Sequence, residues 1–209
     1  MKIEWIDHSC FKINISGKTI YCDPYKIPNN PEKADIILIS HEHYDHYDKE
    51  SVGKIKKSTS KIVCPASCEK ILTNEKAKGI EPFETIEIEG ITIQGVPAYN
   101  PNKKFHPKGN KWLGFIVDNG ETRIYHAGDT DFIPEMKDLK GINIAFLPVG
   151  DTYTMDFHEA IKAANVIKPN MVVPMHNWDK DLNEFKELMK KDAPDIGVIV
   201  LKQKKPIEI

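Results

Sequence analysis

The sequence predicts an α/β architecture of two sheets packed together with helices outside, an αββα four-layer sandwich, and three observations carry that reading. The first part of the chain is written in strands and tight turns. The later part alternates strand with helix. Several short runs are apolar without interruption, as strands buried on both faces require. With 209 residues, the chain can close a sizeable core without disulfide staples, so a single domain over residues 1–209 is expected.

Taken in order, Phe11, Ile13 and Ile15 alternate with Lys12 and Asn14, Ser16-Gly17 turns, and residues 18–22 return as the second arm of a hairpin. A two-residue loop there sets Ile15 opposite Lys18 and Cys10 opposite Asp23, which brings His8 and Asp23 to one end of the hairpin. Residues 35–40 (DIILIS) form a continuous apolar run, followed by the polar cluster 41–48 and a helix-like stretch over 49–57. Residues 61–65 predict a buried strand and 66–73 a short helix. Residues 86–89 and 91–93 alternate around Gly90, and 113–117 pairs with 122–125 around Asn119-Gly120. Between these hairpins lies a polar loop, 99–111, whose length already points to function. Then come a strand over 142–149, a helix over 156–167, a strand over 171–175, a helix over 182–189 and a last strand over 196–201. The 156–167 helix carries Phe157, Ala160, Ile161 and Ala164 at helical spacing.

Composition excludes several classes. Hydrophobic residues at 40% and charged residues at 29% exclude general disorder. Lys+Arg number 29 against 31 Asp+Glu, a net charge of −2, so no global basic field recruits nucleic acid or an anionic membrane. The expected partner is a small-molecule substrate, and assembly into a homo-oligomer stays open. No apolar run approaches the roughly 20 residues that span a bilayer. The opening Met1 to Ile6 alternates like a strand rather than forming a signal core, so a cytoplasmic protein is expected. Arg123 is the only arginine, which leaves lysines and backbone N–H groups to bind anions. Cys10, Cys22, Cys64 and Cys68 read as small buried hydrophobes. No G-x-S-x-G or P-loop stretch is present, which removes serine-hydrolase and P-loop chemistry.

The strongest local signal is Ser40-His41-Glu42-His43-Tyr44-Asp45-His46-Tyr47-Asp48, directly after the buried 35–40 run. His41 and His43, two apart, project to one side of extended backbone, while Asp45 and His46 at the following turn point elsewhere. One segment can therefore offer two ligands to each of two cations, with the imidazole and carboxylate donors that zinc, iron and manganese use. More donors must come from later strand ends. Asp129, in Tyr125-His126-Ala127-Gly128-Asp129-Thr130, could bridge two cations through its two oxygens; His176 ends another buried strand, and His106 sits in the long loop. His158 heads a helix and reads as an exposed surface histidine.

HEHYDH at 41–46, GDT at 128–130 and the later His176 resemble the metallo-β-lactamase fold, whose motif HxHxDH is followed by His, Asp and His at successive strand ends. Pro97-Ala98-Tyr99-Asn100, YHAGDT and PMH are similar to its branch of small metal-dependent hydrolases typified by ascorbate-6-phosphate lactonase. The resemblance implies two divalent ions, zinc first and manganese as the alternative. His41 and His43 would bind the first metal, Asp45 and His46 the second; Asp129 would bridge, and His176 would complete the second site. The first metal's remaining histidine normally lies at the end of the strand that here reads 91–97. Ala98, Tyr99 and Asn100 stand there instead, so His106 is assigned. His126 is read as a core or supporting residue, the His8-Ser9 turn as touching substrate, and Asp23 as the acid that hydrogen-bonds the HxHxDH loop and fixes a ligand tautomer.

The expected activity is hydrolysis of an ester, lactone or phosphodiester by a metal-bridging hydroxide, with Asp45 orienting it and accepting its proton. A mononuclear non-haem iron oxidoreductase acting on a thiol is the runner-up. A metal-dependent nuclease would need a basic groove, and the only lysine clusters, Lys54-Lys56-Lys57 and Lys202-Lys204-Lys205, read as solvated surface. A structural metal in a binding or scaffold protein is the non-enzymatic alternative.

Overall fold

The computed structural model describes residues 1–209. The chain divides into two compact units, residues 1–81 with 201–209, and residues 82–200. Each is built on one seven-stranded mixed sheet. The α/β reading thus holds, with two mixed sheets and few helices.

In the first unit, β1 (Lys2–Asp7), β2 (Cys10–Ile15) and β3 (Lys18–Cys22) run antiparallel. The Ser16-Gly17 turn is the two-residue loop expected, and it sets Ile15 against Lys18 and Phe11 against Cys22. Both turn residues take positive φ, the conformation such a hairpin requires. From β3 the sheet continues in parallel through β4 (Ile36–Leu38) and β5 (Lys61–Pro65). Ile36, Ile37 and Leu38 are fully buried, each contributing roughly 1.5–3 kcal/mol of apolar burial. The helix after the histidine cluster, α1 (Lys49–Ile55), starts where Asp48 accepts from the backbone N–H groups of Glu50 and Ser51. The strand β6 (Lys78–Ile80) pairs with β5. The helix expected over 66–73 reduces to short 3-10 turns at Ala66–Cys68 and Thr73–Glu75; the stretch is too short and too polar to hold a hydrogen-bonded nucleus.

The second unit opens with the antiparallel run β7 (Thr85–Ile88), β8 (Ile91–Pro97), β9 (Leu113–Asp118) and β10 (Arg123–His126). It turns parallel at β10 and continues through β11 (Ile144–Pro148), β12 (Met171–Met175) and β13 (Gly197–Val198). The connections carry α2 (Phe157–Ile167) and α3 (Leu182–Asp192). Asp156 and Glu159 close a capping box at the start of α2. The last strand expected over 196–201 pairs only at Gly197–Val198. The C-terminal β14 (Ile207–Glu208) joins β1 in the first sheet, a long-range pairing that a two-residue segment does not announce in sequence.

Each sheet therefore changes from antiparallel to parallel at one strand, β3 in the first and β10 in the second. Asp23 follows β3, the histidine cluster follows β4, and Asp129 follows β10.

Candidate metal centre

In the first unit, Asp23 organises the histidines. It is buried, and its Oδ1 accepts from the Ser40 backbone N–H at 2.7 Å. Its Oδ2 accepts from the Ser40 hydroxyl at 2.7 Å and lies 2.7 Å from His46 Nδ1. His46 Nδ1 is therefore the donor. The Ser40 hydroxyl, having given its proton to Asp23, accepts from His41 Nδ1 at 2.9 Å. Both rings are thus fixed as Nδ1–H tautomers, which leaves Nε2 as the atom that could ligate a cation. His41 Nε2 lies 3.0 Å from His43 Nδ1. Asp45 Oδ2 lies 3.2 Å from His8 Nε2, and donor atoms of His8, Asp45 and His46 fall within 4.8 Å of one another. Asp23 and His8 hold φ of 45° and 50°, left-handed positions that cost non-glycine residues on the order of 1–3 kcal/mol and persist only where the surroundings enforce them.

In the second unit, Asp129 Oδ2 lies 3.3 Å from His106 Nε2 and 3.1 Å from His176 Nε2, and Asp129 is only 4% exposed. His106 Nδ1 faces two acceptors, Asn100 Oδ1 at 2.8 Å and the Tyr153 carbonyl at 3.2 Å. It must carry the ring proton there. A neutral His106 would then turn an Nε2 lone pair toward a buried carboxylate oxygen, an arrangement that calls for a proton or a cation between them. Imidazole nitrogens converging on a carboxylate are the donor set that zinc and manganese take, so the residues fit a divalent ion.

Asn100 also explains the departure from the resemblance at the β8 end. Its Oδ1 accepts from the His106 backbone N–H at 3.1 Å, its own N–H donates to the His106 carbonyl at 2.7 Å, and its Nδ2 donates to the Tyr153 carbonyl at 3.0 Å. The strand end supplies a clamp, and the loop supplies the imidazole. His176 follows β12 with φ of 51°. Gly150 lies beneath it: a Cβ there would collide with the His176 carbonyl and come within 2.9 Å of its Nδ1. His126 is buried; its Nδ1 accepts from the Gly128 N–H at 3.3 Å and its ring stands edge-on to Phe146, so it supports the turn that delivers Asp129. His158 is exposed on α2.

Sequence reading missed Lys103. Its ammonium binds Asp131 Oδ1 at 2.8 Å and the carbonyls of Asp151 and Thr154 at 2.7 and 2.5 Å, tying the long loop to two others. One lysine in a lysine-rich loop gives no signal for that role. All four cysteines are free and buried. Burial raises each thiol well above its ordinary range, Cys64 to about 12. They stay protonated at neutral pH and offer neither a nucleophile nor a thiolate ligand. No helix is long and apolar enough to cross a membrane.

Clusters of His and Asp side chains beside strand ends in each sheet are the arrangement of the metal-dependent hydrolases of the metallo-β-lactamase fold. Residues 2–176 match the beta-lactamase superfamily domain. The UPF0173 metal-dependent hydrolase of Thermoplasma acidophilum is 36% identical over 100% of this chain and 99% of its own. A crystal structure from Parabacteroides distasonis superposes with a TM-score of 0.89 at 37% identity, covering 97% of this chain and 93% of that one. Igni18, a metallo hydrolase of Ignicoccus hospitalis, gives 0.82 at 26% identity over 99% and 97%. The chain belongs to the beta-lactamase superfamily, among its UPF0173 metal-dependent hydrolases.

Proposed function

We propose that the two units act as one hydrolase domain, 1–209, in which their donors serve a common centre for two divalent ions, zinc or manganese. His41, His43 and His106 would hold one ion, Asp45, His46 and His176 the other, with Asp129 shared. The observation that carries this reading is the Asp129 carboxylate, buried between the Nε2 atoms of His106 and His176 at 3.3 and 3.1 Å. Support also comes from the superfamily match, which spans both donor sets.

When bound, such ions polarise a carbonyl or phosphoryl oxygen and acidify water to a pKa near 7. The chain's own residues do the rest. Asp23 and Ser40 hold His41 and His46 with Nε2 available, and Asn100 does the same for His106. Asp45 would accept the proton of the attacking water, and His8, whose Nε2 lies 3.2 Å from it, would hand a proton on toward the leaving group. The reaction is hydrolysis of a small ester, lactone or phosphodiester; the lactone follows the ascorbate-6-phosphate lactonase resemblance.

The test is metal analysis of the purified protein, followed by assays on representative esters, lactones and phosphodiesters. Two zinc or manganese ions per chain with turnover of one class supports the reading. One iron per chain with thiol oxidation would replace it by the oxidoreductase, and turnover confined to nucleic acid would replace it by the nuclease.

A further inference from the structure

Three aromatic side chains remain exposed in one continuous array beside the second unit's donors: Phe105 at 43%, Tyr153 at 37% and Trp178 at 48%. Phe105 meets Tyr153 edge-to-face with ring centroids 4.4 Å apart, and Tyr153 lies 6.0 Å from Trp178. The array joins the donors directly. The Trp178 ring stands edge-on to the His176 ring at 5.6 Å, and the Tyr153 carbonyl lies 3.2 Å from His106 Nδ1.

This display is built. Trp178 and Asp179 hold φ of 45° and 62°, a conformation that bulky residues avoid. The turn is closed by Lys180 N–H donating to the Asn177 carbonyl and by Asn177 Nδ2 donating to the Lys180 carbonyl. A Cβ on Gly150 would fall 2.7 Å from Trp178 Cδ1, so the missing side chain makes the space the indole occupies. A backbone held in a disfavoured conformation while about half of the tryptophan stays exposed adds little to core burial. An exposed apolar group contiguous with candidate ligands marks a place a ligand covers.

We infer that Phe105, Tyr153 and Trp178 form the recognition shelf for the substrate, and that the substrate carries an aromatic ring or comparably flat apolar group next to the bond cleaved. This rests on the hydrolase reading above and specifies its substrate class. Rigid aromatic rings take planar partners in offset-stacked or edge-to-face contact, each pair worth about 3- to 10-fold in affinity beyond area burial. A saturated, puckered group of equal size gains less.

The test uses simple carboxylates on the zinc-loaded full chain. Binding of 2-naphthoate, its saturated counterpart decahydronaphthalene-2-carboxylate and acetate is measured by calorimetry for the wild type, W178A, W178F and F105A. The wild type should hold 2-naphthoate about 3- to 10-fold tighter than decahydronaphthalene-2-carboxylate. W178A should lose about 3- to 10-fold for 2-naphthoate and almost nothing for acetate, W178F should recover most of that loss, and F105A should fall between. Equal affinity for the two ring acids in the wild type, or an aromatic preference that survives both W178A and F105A, overturns the shelf. Failure of the hydrolase reading would look different: one iron per chain with thiol oxidation, and no turnover of any ester, lactone or phosphodiester, whatever the aromatic preference.

Discussion

The donor sets of the two units are built to opposite plans. In the first, His41, His43, Asp45 and His46 come from one segment after β4, and a single buried carboxylate, Asp23, fixes two of them, His46 directly and His41 through Ser40. In the second, His106, Asp129 and His176 come from three separate connections, and a neutral amide, Asn100, fixes His106. A contiguous motif is oriented by one strand end and one hydrogen-bonded acid. A dispersed set depends on the register of a whole sheet, where neighbouring loops must be tied together, here by Lys103 and Asn100.

The largest effect expected follows from removing the acid that two imidazoles share. Asp129→Ala should lose bound metal and turnover together, beyond the 10- to 100-fold typical of a supporting residue; elemental analysis and assay of the same preparation read both. The comparison sharpens with the two buttresses. Asp23→Asn keeps the shape but removes the charge that sets two tautomers, and should weaken metal affinity toward the upper end of 10- to 100-fold. Asn100→Ala should cost nearer tenfold, because it frees one imidazole. Competition with a chelating dye measures both, and the reverse ranking would mean that the dispersed set, not the contiguous one, limits affinity. At the bottom, His158→Ala on the exposed face of α2 should shift stability by no more than about 0.5 kcal/mol and leave metal content unchanged, as thermal unfolding and elemental analysis would show.

The same contrast explains what the sequence made legible. The HxHxDH segment follows an apolar run in a way that local pattern alone reveals, and the Ser16-Gly17 hairpin follows from turn chemistry. Strand β12 and helix α2 were visible for similar reasons, each with a clean period and a clear stop. Lys103, Gly150 and the clamp function of Asn100 were not, because each acts through carbonyls or space contributed by distant residues. Strands β6 and β14 escaped for a related reason: two or three residues carry no period, and their pairing is decided by the sheet edge they find.

Zinc-edge anomalous diffraction from crystals of the metal-loaded protein tests the central claim, that both donor sets serve one centre. The account predicts two peaks per chain, each about 2.0–2.2 Å from histidine nitrogens of both units, with Asp129 oxygens on both. Peaks ligated by residues of one unit alone would contradict it.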